Sequence, residues 1–516
     1  MLVGLHGWSA VVLGLVLYAV VLTGTVAVLS KEIGHWSIGG ALPGKPFERP
    51  IDGIVQELSQ KVGRAYHEDV EINFNSAGNI EAFFHKDIRL LNGSVRQRGI
   101  KFEVAPDTGK VLWLREGLGS ELRMLEASDA LFRFLIDVHV RLHLPHPWGL
   151  LLTGVLGLAM MVAAISGLLI HRHLIRDMFT IRGRGQRVLT YRDQHSVAGT
   201  WGLPFAFLLA FTGSFFSFVG SFGLPVLAMV AFGGDQMAAI RTIVGTETLR
   251  PGVRRPTVNL DTVLADSRRR VGSMPVEVSI ENYGRQNSRI EVTHYPREKH
   301  LDFPKLRYDG RTGEYLGTIP IVGRTQSLGS MLVSVIAPLH FGSFGGLLSK
   351  AVWVALGLSS SFIIISGLQL WLQRRTGAPA WSVYRALLSI VAFGLPIALA
   401  GAAIAFLVAR GHEDMVTAPL SGFLFFSGCA TLLGALLHLS RNTHLWWIAL
   451  SIMLIALPVV RLLTGGVGWW QAIQNGYPTL VALDLLFLIA GVACGRAAFR
   501  GRDRQAVAVP RPAEET

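Results

Sequence analysis

Apolar and polar positions along this chain form patterns on two length scales. On the long scale, eight apolar runs are long enough to cross a hydrocarbon core as helices. They stand at about residues 5–29, 147–170, 197–222, 345–371, 384–409, 418–439, 444–464 and 478–497. Two polar segments, about 30–138 and 230–338, separate the first run from the second and the third from the fourth. On the short scale, each polar segment opens on apolar residues at helical spacing: Ile51, Ile54, Val55, Leu58 and Val62 in one, Leu260, Val263, Leu264 and Val271 in the other. Strand patterns follow, and the two segments can be laid over each other. VEINFN (Val70–Asn75) parallels VEVSIEN (Val276–Asn282), and NIEAFF (Asn79–Phe84) parallels RIEVTH (Arg289–His294). KFEVAPDTGKVL (Lys101–Leu112) matches KLRYDGRTGEYL (Lys305–Leu316) without a gap, each with a Thr-Gly turn that predicts a hairpin.

The likeness continues into the membrane. LHGW (Leu5–Trp8) and QHSV (Gln194–Val197) each open a span that contains Thr-Gly, at Thr23-Gly24 and Thr212-Gly213. DVHV (from Asp137) and PLHF (from Pro338) each precede a span ending in ISGL, at Ile165–Leu168 and Ile365–Leu368. The pattern predicts a duplicated unit of helix, outer domain and helix, its copies related by a pseudo-two-fold axis along the membrane normal. The last four runs have no partner in the repeat and few charges, with Asp484 the main exception, and are expected to form an appended bundle.

Composition agrees with a polytopic membrane protein: 516 residues, half of them apolar, 16% charged. The net charge of +13 falls in loops, so it does not imply nucleic acid. Two cysteines, Cys429 and Cys494, both in apolar runs, leave no disulfide framework, CxxC zinc site or CxxCH attachment site. The first run lacks a basic leader and an A-x-A site and is expected to be a retained helix. Basic residues cluster after the second run (Arg172, Arg176, Arg182, Arg184, Arg187, Arg192), after the fourth (Arg374, Arg375, Arg385) and after the eighth (Arg496, Arg500, Arg502, Arg504). All three clusters share one side if both termini are cytoplasmic. The expected layout is a first span over 1–30, an outer domain over 31–138, a second span over 139–173 and a basic loop over 174–194. A third span (195–229), a second outer domain (230–338) and a fourth span (339–373) follow, then the appended bundle over 374–498 and a tail over 499–516.

Histidines mark the membrane faces. His139, His143 and His146 precede the second span, and His171 and His173 follow it. From His143 to His171 is about 42 Å of helix, which puts imidazoles at both faces and suggests redox chemistry on each. The repeat offers two pairs: His139 with His340 at the outer ends of spans two and four, and His6 with His195 at the inner ends of spans one and three. His171 lies near the inner pair, where the repeat has Trp371 instead. His143, one turn after His139, is an alternative to it, since i and i+4 share a helix face. A single interfacial histidine is more often a helix anchor, but four repeat-paired ones favour a function. His35, His146, His173, His438 and His444 are expected at interfaces or in loops, and His67, His85, His294, His300 and His412 in solvated segments. Arg89, Arg96, Arg98 and Lys101 are expected on a solvated basic face, with attraction of anionic iron chelates the sharper alternative. Gly154, Gly157, Gly167, Gly199, Gly213 and Gly367 would admit a flat macrocycle or a neighbouring helix. No G-x-G-x-x-G, P-loop, HExxH or GxSxG motif occurs.

With these residues in view, the chain resembles the PepSY-associated transmembrane family over about residues 1–375. The resemblance rests on the paired turns Asp107–Gly109 and Arg311–Gly313, the Leu-His openings and the two ISGL ends. HRHLIRDMFTIR…GQR…DQHS, from His171 to Ser196, completes it. It implies a bacterial inner-membrane protein with two α+β PepSY-like periplasmic domains set in the duplicated core. The eight spans read from the sequence make the whole a mainly α membrane protein with eight transmembrane helices, of which the family pattern does not require the last four. Members include reductases that bind two b-type haems and reduce siderophore-bound iron; others are known only as iron-regulated membrane proteins. Carried onto this sequence, the resemblance makes His6, His139, His195 and His340 the iron ligands of two b-type haems, with His171 a further cofactor-binding candidate beside the inner pair and His143 an alternative outer ligand. The substrate would be a ferric siderophore or another iron chelate. The electron donor would be quinol or a separate cytoplasmic reductase, as no nucleotide module is evident. Two rival expectations stand beside this one. The first is a scaffold whose outer domains bind peptides or restrain a protease. The second is a transporter, against which the first four spans carry almost no buried charge.

Overall fold

The computed structural model describes residues 2–38, 47–90, 95–170, 179, 187–245, 252–296, 301, 303–320, 322–323, 325–375, 377–440 and 444–506, with the side chains of 187–189, 439–440 and 501–506 left aside. The described chain is mostly helical. Eight helices are long and apolar enough to span a membrane: Leu2–Ala27, Trp148–Ile170, Thr190–Phe232, Gly346–Gln373, Pro379–Val408, Ala418–His438, His444–Leu463 and Pro478–Arg500. The third is longer than the sequence pattern suggested, because helix continues through a π-helical stretch, Val219–Gly223, into Leu224–Phe232.

The first four spans form a ring: the first packs on the second and fourth, and the third closes the ring against the same two. The fifth packs on the sixth and seventh, and the seventh on the eighth. Two tyrosines clip the fifth span to the first: Tyr18 Oη donates to Ala392 O (2.8 Å), and Tyr384 Oη donates to Val11 O (2.7 Å).

The polar segments build one eight-stranded antiparallel sheet. Its strands are β1 (Asp69–Phe74), β2 (Ile80–Arg89), β3 (Val95–Val104), β4 (Val111–Leu118), β5 (Pro275–Glu281), β6 (Arg289–His294), β7 (Lys305–Asp309) and β8 (Tyr315–Ile319). Their order is β4-β3-β2-β1-β5-β6-β7-β8, which reads alike outward from the β1–β5 seam. At that seam Val70 faces Ile280 and Ile72 faces Val278. The two segments, expected as separate domains, therefore share a sheet: pairing β1 with β5 satisfies two edges that would otherwise be left open. The hairpins fall where the Thr-Gly turns placed them, with Gly109 (φ 66°) and Gly313 (φ 74°) in the left-handed region that glycine enters most readily.

One face of the sheet is apolar (Val70, Ile72, Phe84, Phe102, Ile280, Ile290, Leu306) and packs with two helices, Asp52–Gln60 and Leu260–Val271, in a single core. Each such side chain fully buried contributes about 1.5–3 kcal/mol. The two helices cap each other. Asp52 accepts from Leu260 N (2.9 Å), and Asp261 accepts from Ile51 N (2.7 Å) and Asp52 N (3.3 Å), placing a carboxylate at each positive helix end.

The other face is charged, and here two expectations fail. Lys101 does not lie on a solvated basic face: it is buried between Glu81 (2.8 Å) and Glu126, because an ammonium taken from water must find carboxylates. Nor are His85 and His294 solvated. Both are buried: His85 lies on this face, stacked on Phe83 with ring centroids 4.6 Å apart, while His294 follows Ile290 and Val292 on the apolar face and is bonded through Nδ1 to Ser273 O (2.9 Å).

Candidate functional site

Two short helices link the sheet to the spans, and each carries one of the histidines singled out in the sequence. His139 stands on Ala130–Arg141, whose Leu131, Phe134, Leu135 and Val138 are buried. That helix stops because Leu142 and His143 take left-handed backbone (φ 52° and 54°), and the second span begins separately at Trp148. His340 stands on Leu328–Phe341, opened by a Ser327/Ser330 capping box and stopped by Gly342 at φ 65°. These histidines are therefore not on the spans, as the sequence pattern had it, but on helices that precede them. The Pro-His-Pro at 145–147 and Gly342 were the signals for the breaks.

The short helices carry the imidazoles inward, to the first and third spans. His139 Nδ1 lies 3.0 Å from Val20 O. A carbonyl only accepts, so Nδ1 bears the proton and the neutral ring keeps its lone pair on Nε2. His340 Nδ1 lies 2.8 Å from Thr212 Oγ1. The threonine hydroxyl donates to Leu208 O (2.7 Å), so it accepts from His340 and fixes the same tautomer. Neither Nε2 has a hydrogen-bond partner among the described residues. The two rings face each other with centroids 6.3 Å apart and planes 25° apart.

The other pair is held in the same way. His6 Nδ1 is 3.1 Å from Ala163 O and 3.2 Å from Ser166 Oγ on the second span. His195 Nδ1 is 3.0 Å from Ile363 O and 3.1 Å from Ser366 Oγ on the fourth. Each serine hydroxyl donates to that same carbonyl, so Nδ1–H is the donor and Nε2 keeps the lone pair. The two ISGL sequences are thus histidine seats: serine and a carbonyl hold Nδ1, and the glycine makes room for the ring.

Each of the four imidazoles lies against a glycine. A Cβ at Gly24 would stand 2.7 Å from His139 Cε1, and one at Gly213 would stand 3.3 Å from His340 Cε1. At Gly167 it would be 3.3 Å from His6 Cε1, and at Gly367 2.9 Å from His195 Cε1. Gly24, Ser166, Ser366 and Thr212 were visible in the sequence only as repeated letters. Their task appears once the chain is folded.

His6 to Gly24 on the first span, and His195 to Gly213 on the third, are each 18 residues, or about 27 Å of helix. The two tiers are therefore nearer than the 42 Å between His143 and His171. His171 and His173 lie outside the described residues. His143 does not share a face with His139, because the helix ends between them. Its ring packs on Phe134 at 4.9 Å, and its buried Nε2 has no partner among the described residues.

The donor set suits a metal held between planar rings. Two imidazoles bound on opposite sides of one metal ion at about 2 Å would have centroids about 6 Å apart. Metal-binding histidines typically anchor the second ring nitrogen by a hydrogen bond to a carbonyl or similar acceptor. The 6.3 Å between the His139 and His340 centroids matches that spacing, and both rings have the anchored Nδ1. Glu81, Glu126 and Asp129 also bring carboxylate oxygens together, but the Lys101 ammonium bridges the two glutamates and serves as the cation there.

Comparison with known proteins places this arrangement. The family described as "PepSY-associated TM region" matches residues 3–374, so its match covers the ring of spans and the whole sheet. An uncharacterized protein of Pseudomonas aeruginosa is 29% identical over 306 residues, spanning 56% of this chain and 76% of the relative.

Proposed function

From the premise that the chain belongs to the PepSY-associated transmembrane family, we propose that it is an electron-transfer protein of a bacterial inner membrane. It binds two b-type haems and delivers electrons to periplasmic ferric iron, in the form of a siderophore or similar chelate. When bound, a haem supplies one-electron exchange between ferric and ferrous iron. His139 and His340 hold the haem nearer the sheet. His6 and His195 hold the other near the opposite face, where electrons arrive from quinol or a cytoplasmic reductase. On this reading both termini are cytoplasmic, the sheet is periplasmic, and the two halves are copies of one unit.

The observation that carries the proposal is the tautomer shared by the four repeat-paired histidines. Each donates Nδ1–H to a carbonyl or hydroxyl of a neighbouring helix and keeps Nε2 as a Lewis base. Helix anchors at a headgroup layer would have no need of buried acceptors, nor of a glycine beside each ring. For His139 and His340, on the short helices before the spans, burial favours the neutral imidazole.

Haem content per folded chain tests the reading. His139→Ala and His340→Ala should each remove about half the haem absorbance of the wild type, and His6→Ala or His195→Ala the other half. Equal absorbance in all four variants, or a colourless wild type from haem-replete cells, would leave the scaffold reading in its place.

A further inference from the structure

The eighth span carries a feature with no part in electron transfer. Between it and the seventh lies a groove of about 840 Å³, walled by Leu488, Ile489, Val492 and Trp447, with Arg496 and Arg500 at one end. Residues 489, 492, 496 and 500 recur every three or four positions, so the arginines stand one and two turns beyond the apolar wall on one helix face. Ile489 is 67% exposed and Val492 48%, so the wall opens outward from the bundle.

Four arginines near other span ends, Arg375, Arg385, Arg410 and Arg461, engage carbonyls of the protein, while Arg374 at the end of the fourth span is exposed like the pair on the eighth. Arg496 and Arg500 are exposed and make no hydrogen bond or ion pair among the described residues. Unpaired guanidiniums above an apolar groove call for an anion with a hydrocarbon tail. From Leu488 to Arg496 is eight residues, about 12 Å of helix, close to the ~15 Å hydrocarbon half of a bilayer. Trp447 stands at the height where aromatic rings meet headgroups.

We propose that this groove binds one anionic phospholipid, its acyl chain along Leu488–Val492 and its phosphate between Arg496 and Arg500. A soluble anion would use the arginines but leave the apolar wall unexplained, and a quinone would leave the arginines unexplained. The site lies at the end of the bundle remote from the sheet, so the lipid belongs to that leaflet.

Native mass spectrometry of the full chain, titrated with phosphatidylglycerol or phosphatidylcholine of matched acyl chains, tests the assignment. The wild type should bind phosphatidylglycerol more tightly. R496Q/R500Q should weaken that binding about 25-fold, roughly fivefold per guanidinium, and leave phosphatidylcholine unaffected. R496K/R500K should keep most of the preference, which separates lost charge from misfolding. Equal binding of the two lipids by the wild type, or a preference surviving in R496Q/R500Q, would overturn the proposal. So would displacement of phosphatidylglycerol by inorganic phosphate or by a water-soluble quinone at matched concentration.

Discussion

The four-span ring and the C-terminal bundle both carry polar groups where water is scarce, and they treat them in opposite ways. In the bundle, Arg461 and Asp484 are almost fully buried and satisfy each other (Nε to Oδ1 3.1 Å, a second guanidinium nitrogen to Oδ2 2.5 Å). Trp36 Nε1 and Trp469 Nε1 add two donors to the carboxylate at 2.7 Å each, and a remaining guanidinium nitrogen reaches Val467 O at 2.9 Å. In the ring, His139 and His340 are held on one nitrogen while the other has no partner among the described residues. A fully paired polar group is satisfied within the fold, whereas a ring nitrogen left without a partner among the described residues keeps its lone pair for a ligand to use. The ion pair ties the bundle through Trp36 to the helix Ser30–Ser37 that follows the first span, whereas the histidines are the groups that the proposed function gives to haem.

If that contrast holds, breaking the lock costs stability and spares the cofactor. Asp484→Ala leaves the Arg461 guanidinium buried without its counter-charge and should destabilise by about 3–5 kcal/mol, read as a thermal shift in detergent. Haem per folded chain should not change. The double variant Arg461→Met/Asp484→Leu should recover most of the loss, since it removes both charges together. Loss of haem in Asp484→Ala at temperatures where the chain stays folded would erase the distinction.

The glycine seats should behave in the reverse way. Gly24→Ala places a methyl 2.7 Å from the His139 ring, so the ring must move; Gly213→Ala stands at 3.3 Å from His340 and asks for a smaller shift. Gly24→Ala should therefore lower the haem content of the sheet-side site more than Gly213→Ala, with overpacking costs of about 1–3 kcal/mol or less in each. Equal haem content in Gly24→Ala and the wild type would show that the ring is not tightly seated.

A smaller effect belongs to the seam of the sheet. Asp69 and Glu281 stand opposite each other in the β1–β5 register. Burial pushes Asp69 up to about 6 and Glu281 up to about 7, and the neighbouring Glu291 and Asp69 carboxylates add to the rise of Glu281. Carboxyls raised in the folded state bind more protons there than in the opened chain, so the seam is strongest below about pH 4 and weakens as pH rises through 7. Amide exchange along β1 and β5, corrected for intrinsic rate, should show opening more frequent at pH 8 than at pH 5 by about tenfold or more. Glu281→Gln should flatten that slope. A slope of the opposite sign would mean the seam carboxylates are better solvated than their burial implies.

Much of this architecture was legible in the sequence because it is periodic. The eight spans, the two amphipathic helices and the Thr-Gly hairpins each follow from local spacing, and the four paired histidines from the internal likeness of the halves. Other features depend on residues brought together from afar. The short helices bearing His139 and His340 are masked by the apolar runs beside them. The β1–β5 pairing joins strands about 200 positions apart. Lys101 resembled a surface lysine until Glu81 and Glu126 closed on it. Asp484 stood out as an intramembrane charge, but Arg461 sat at the end of another span with nothing local to mark it as its partner.

The absorbance spectrum of the purified full chain, oxidised and then reduced with dithionite, bears most directly on the central claim that imidazoles grip iron porphyrin at two levels of the ring. The account predicts a Soret band and, on reduction, a sharpened α band, with intensity near two haems per chain in the wild type and near one in His139→Ala. A spectrum without porphyrin bands from haem-replete cells would contradict it.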